Sequence, residues 1–93
     1  MEAYQINTLH LFHDCIMQLL ERKVARTEHV SERIRATFTP DEFRDAVSDD
    51  AVEVVAAIMG RNDELQLAED TPVSILDALR AVAVEVAHAI GTH

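Results

Sequence analysis

The stretch T-P-V-S-I-L-D-A-L-R-A-V-A-V-E-V-A-H-A-I-G, running from Thr71 to Gly91, decides the fold class. Turned at roughly 100° per residue, it places Ile75, Leu76, Leu79, Val82, Ala83, Val86, Ala87, Ala89 and Ile90 on one broad face. Asp77, Arg80, Glu85 and His88 fall on the other. Thr71 is expected as N-cap, with Pro72 at the first helical position, where its missing N–H costs nothing. Gly91 stands where a left-handed C-cap is wanted. The spacing predicts a helix of about five turns that must bury one side.

Upstream, residues 5–26 predict a first helix. Leu9, Phe12, Ile16, Leu19, Leu20 and Val24 share a face, with Ile6 and Met17 at its edge. Asn7 is a candidate cap. Leu11 and Cys15 form a second apolar patch beside Tyr4, either flanking core or a contact with another chain. Residues 28–38 carry the narrower stripe Val30, Ile34, Phe38, with Thr27 as N-cap of a separate second helix. A competing reading continues the first helix from 7 to 37. That helix would be roughly 45 Å long and would imply a dimer. The break at Thr27 is preferred.

Thr39-Pro40-Asp41-Glu42 is the clearest local signal. Thr39 caps, Pro40 takes the first helical position, and Glu42 reaches back to close a capping box. A short helix over 40–47 should bury Phe43, Ala46 and Val47. A further helix is expected over 49–59, apolar over most of its circumference, with Asp49, Asp50, Glu53 and Ala57 as its polar strip; such a helix belongs at the centre of a bundle or at a subunit interface. Residues 60–71 read as a polar linker from which Leu65 and Leu67 tuck onto the core. The sum is one all-α domain over residues 1–93, a small bundle of four to five helices, expected to be a homodimer because a chain with light side chains and no Trp often completes its burial by association.

Composition bounds the function. The formal charge is −9, and residues 39–93 hold twelve of the seventeen acidic side chains but only three of the eight basic ones. That imbalance argues against direct nucleic-acid binding. The one cysteine excludes a disulfide framework and a multi-thiolate metal site. No leader-like start or bilayer-length apolar run is apparent, so a soluble cytoplasmic protein is expected. The basic run Arg22, Lys23, Arg26, His29, Arg33, Arg35 is interleaved with Glu21, Glu28 and Glu32 and reads as a solvated, salt-bridged face.

No motif for enzymatic chemistry stands out. There are two glycines and neither lies in a phosphate loop. His10-x-x-His13 splits between the polar and apolar sides of its helix. Glu85-x-x-His88 has the spacing of di-iron carboxylate bundles, but it lies on the polar face of its helix, no second copy exists, and a single copy in this composition means little. Asp49, Asp50 and Glu53 lack the second carboxylate pair that a pyrophosphohydrolase-like cation site needs. Cys15 and His13 diverge by about 200° on a helix and form no nucleophile–base pair. The expectation is therefore a non-catalytic acidic protein without cofactor or metal. It would act by binding a protein with a basic surface, as a regulator, adaptor or nucleic-acid-mimicking inhibitor. The expected contact residues are Asp41, Asp45, Asp49, Asp50 and Glu53, with Val84 and Leu11 as apolar residues out of place on their faces. The alternative is a metal- or ligand-binding bundle, possibly enzymatic, using His13, Glu53, Glu85 and His88. A third reading is a plain structural assembly.

Overall fold

A computed structural model describes residues 1–49, 53, 57 and 63–92. The described residues form four α-helices and a very small sheet, so the chain is mostly helical. Helix α1 spans Ala3–Leu20 and buries Leu9, Phe12, Cys15, Ile16 and Leu19. These apolar positions recur at three- and four-residue spacing, which puts them on one side. The helix ends six residues sooner than the span of 5–26 expected from the sequence. Arg22 adopts a left-handed backbone, φ 63°, and turns the chain. A non-glycine residue there costs about 1 kcal/mol, and the surroundings hold it. Arg22 donates through a guanidinium nitrogen to the Ala68 carbonyl (2.7 Å), and its own carbonyl accepts from Gln66 Nε2 (2.7 Å). The turn overturns the continuous helix over 7–37 and moves Val24 off the core face: it is 52% exposed.

Past the turn the chain forms a short strand. β1 (Ala25–Arg26) pairs antiparallel with β2 (Glu64–Leu65), Ala25 opposite Leu65 and Arg26 opposite Glu64. The second pair also closes an ion pair at 3.2 Å. One residue before β2, the Asp63 carbonyl accepts from the backbone N–H groups of Thr27 (3.0 Å) and Glu28 (3.3 Å). These donors open helix α2, Thr27–Thr37, and the first N–H groups of a helix need outside acceptors. Thr27 is thus not the N-cap expected of it. It is the first helical residue and fully buried, and a carbonyl from the linker does the capping. The linker expected over 60–71 therefore clasps the α1–α2 turn. Leu65 and Leu67 do pack on the core from it.

The stripe on α2 holds: Val30 is buried, Ile34 half-buried, and Phe38 buried just past the helix end. Helix α3, Pro40–Ala46, begins as its sequence dictates. Glu42 N–H donates to Thr39 Oγ1 (3.2 Å) and Thr39 N–H donates to Glu42 Oε1 (3.1 Å). Phe43 and Val47 are buried. The Phe43 ring bridges Phe12 (centroids 6.0 Å apart) and Phe38 (5.6 Å, edge-on), so three aromatics join α1, the end of α2 and α3. The helix expected over 49–59 lies largely outside the described residues; Asp49, Glu53 and Ala57 are helical and exposed.

Helix α4, Val73–Gly91, buries Leu79, Val82, Ala83, Val86 and Ala89. Its most extensive partner among the described elements is α1. Ile75 and Ala87, expected on the core face, are exposed at its margins. Both caps differ from expectation. Pro72 is the N-cap, and the Thr71 hydroxyl instead donates to the Ala68 carbonyl (2.6 Å). Gly91 remains helical without a left-handed φ, and Thr92 ends the helix, its N–H donating to the His88 carbonyl (3.1 Å).

Phe12 lies at the meeting of the α1 core face and the aromatic bridge. Truncating a buried Phe costs about 3–5 kcal/mol, a large share of the roughly 5–15 kcal/mol that holds a domain folded. Phe12→Ala is expected to lower the unfolding free energy obtained from urea denaturation by that amount or abolish the transition. An unfolding free energy within about 1 kcal/mol of wild type contradicts this core.

Candidate protein-binding surface

Of the acidic residues singled out from the sequence, Asp41 and Asp45 stand on α3 and Asp49 follows it closely in the chain. The two ends of α3 are fixed by different means. At the start, the capping box orients Glu42, and α1 reaches it. Gln5 Nε2 donates to Glu42 Oε2 (2.9 Å) and to the Thr37 carbonyl (3.1 Å), while Gln5 Oε1 accepts from Glu2 N–H (2.9 Å). Gln5 is buried, and its amide oxygen and both amide hydrogens are engaged. Beside it the Thr37 hydroxyl lies 3.2 Å from that of Thr8, which donates to the Tyr4 carbonyl. A polar tie thus joins α1 to the α2–α3 junction. The Glu42 carboxyl is held below its ordinary range, first by the backbone N–H of Thr39, then by the Gln5 amide and the Thr39 side chain.

At the far end, Ser48 is tied to α4. Its backbone N–H donates to Glu85 Oε1 and its hydroxyl donates to Glu85 Oε2 (3.0 Å). Glu85 therefore bridges to the segment after α3 instead of standing with His88 as a solvent-facing pair. Arg44 turns to Asp49 (3.3 Å), with both side chains mostly exposed.

Between these ties, Asp41 and Asp45 project from α3 into solvent, one helical turn apart, and neither has an ion pair among the described residues. Asp49 is exposed and shares Arg44; Glu53 is exposed; Asp50 lies outside the described residues. A cleft of about 220 Å³ opens between the start of α1 and α3, lined by Met1, Gln5, Phe38, Glu42, Asp45 and Ala46.

The two apolar candidates stand on other helices. Val84 is 71% exposed on α4. Leu11 is half-buried and, with Cys15 and Val30, lines a groove of about 240 Å³ between α1 and α2, rimmed by Asp14, Gln18, Arg26 and His29. The patch of Leu11 and Cys15 is flanking core. Cys15 is buried, and desolvation pushes its thiol up to about 11, so it stays protonated and unreactive at neutral pH. His13 is half-buried and His88 exposed. Among the described residues no three His, Cys, Asp or Glu side chains are grouped so as to hold a metal ion.

Two residues that shape this surface, Gln5 and Glu85, carry little sequence signal. Glu2-x-x-Gln5 has helix-start spacing but says nothing of Glu42, and Glu85 sits in mid-helix with its partner thirty-seven residues away. No protein-family profile, no curated protein and no solved structure matches this chain.

Because the folded carboxyl of Glu42 titrates below its unfolded value, its contribution to stability is complete above the ordinary glutamate range, about pH 4.3. It is lost as pH falls through the lowered folded value. Glu42→Gln is expected to be less stable than wild type at pH 7, with the gap in denaturation midpoints closing on acidification below about pH 4. A gap that stays constant with pH contradicts the role given to this carboxylate.

Proposed function

We propose that this chain is a non-catalytic protein that works by binding a basic surface on another protein through the acidic face of α3 and the segment after it. The observation that carries the reading is the state of Asp41, Asp45 and Glu53. All are exposed, and among the described residues none has a cationic partner. The four ion pairs among the described residues are surface pairs that include only Asp49 from the candidate set, and such pairs add little to stability. Like charges left unpaired side by side destabilise a helix slightly but speed and select an encounter with a positive partner. The overall charge of −9 acts in the same direction.

This binding should weaken as ionic strength rises, since exposed charges are screened beyond about 10 Å at 0.1 M salt. The test compares immobilised wild type with the triple variant Asp41→Lys, Asp49→Lys, Glu53→Lys in extract from the native source. Wild type should retain at least one basic protein at low salt that the variant releases, and purified partner should bind wild type in a salt-dependent 1:1 titration. Equal retention by both chains contradicts the reading.

A further inference from the structure

We infer that the cleft between the start of α1 and α3 receives an arginine side chain of the partner protein; this rests on the acidic-face reading above and gives it a point of recognition. The cleft has two kinds of wall. Phe38, Ala46 and Met1 supply apolar surface, and Glu42 and Asp45 supply charge. Three residues apart on α3, these carboxylates are surface neighbours. Glu42 is already oriented by Thr39 N–H and Gln5 Nε2, one bond to each oxygen, which leaves a lone pair on each for an incoming donor.

Asp45 is placed against its own helix. It lies in the last turn of α3, where the helix dipole disfavours a carboxylate. It also stands beside another carboxylate, and the adjacent Arg44 is turned away to Asp49. Among the described residues no cation meets either Glu42 or Asp45. Local stability gives no reason for Asp45 to be acidic; a cation arriving from outside does.

The chemistry favours arginine over lysine. A guanidinium is planar, weakly hydrated and forked, so it can bridge two neighbouring carboxylates while its stem lies along an aromatic and aliphatic wall. A cleft of about 220 Å³ open on one side admits one such side chain end-on. A small metal ion would find a poorer site, because among the described residues no three His, Cys, Asp or Glu side chains are grouped so as to hold one.

The test titrates the isotopically labelled full chain with N-acetyl-arginine amide at low salt and follows amide and side-chain signals by NMR. The expected result is a saturable shift confined to the Gln5 side-chain amide, Phe38, Asp45 and Ala46. Asp45→Asn should raise the dissociation constant about three- to fivefold, the size expected for one exposed charge pair. Asp77→Asn, which does not line the cleft and pairs with Arg80, should leave it unchanged, and N-acetyl-lysine amide should bind more weakly. Shifts that spread over all acidic residues without saturating, or that are the same in Asp45→Asn, overturn the inference. The two proposals fail separately. A partner lost on charge reversal at Asp41, Asp49 and Glu53, with no arginine site, removes only the cleft; an arginine site with no such loss removes the acidic face.

Discussion

The packing of α1 against α4 is the constraint on which the rest of this structure depends. Leu9, Phe12, Ile16 and Leu19 on one helix and Leu79, Val82, Ala83, Val86 and Ala89 on the other make up most of the buried apolar side chains among the described residues. With no Trp and three Phe, the chain has few large side chains to bury. It places all three Phe in a single contact chain, through which α3 and the end of α2 are drawn onto α1. Small residues on α4, Ala83 and Ala89, are buried alongside the larger ones, as close helix packing requires. Two polar ties extend from this seam: Gln5 from α1 holds the start of α3, and Glu85 from α4 holds the segment after it.

The parts of this fold that are legible in the sequence are those where periodicity or a cap acts locally. The α4 core face, the α2 stripe and the Thr39–Glu42 capping box depend on residues within a turn or two of one another. The clasp between β1 and β2 is not legible, because strands of two residues have no alternation to detect. Its consequences are equally hidden. The N-terminus of α2 is capped by a backbone carbonyl thirty-six residues away in sequence from Thr27, and a carbonyl leaves no trace in residue identity. Arg22 carries the left-handed turn without being Gly, because Gln66 and Ala68 bind it there. Gly91 shows the reverse error. Its residue type suggests a left-handed cap, yet the helix runs through it to Thr92.

The candidate surface divides along the same line. That Asp41, Asp45, Asp49 and Glu53 face water is expected from charge alone, and the structure places each of them exposed. What the sequence does not show is how they are framed. Long-range hydrogen bonds from Gln5 and Glu85 hold both ends of α3, so its acidic side chains project from an anchored element. Leu11, misplaced on a polar face by periodicity alone, lines the α1–α2 groove, because the neighbouring helix covers that side. Val84 has no such cover and is 71% exposed on α4.

A fold supported by the α1–α4 seam does not need the acidic face, and proteins commonly give up some stability for residues that serve binding. The most direct measurement is therefore the folding stability of the triple variant Asp45→Lys, Asp49→Lys, Glu53→Lys, by urea denaturation at low salt. If these carboxylates are kept for a partner, the variant is as stable as wild type within about 1 kcal/mol or more stable, since self-repulsion is relieved and one exposed ion pair is lost. A loss of more than about 2 kcal/mol would mean that the charges hold the fold together, and would contradict the account.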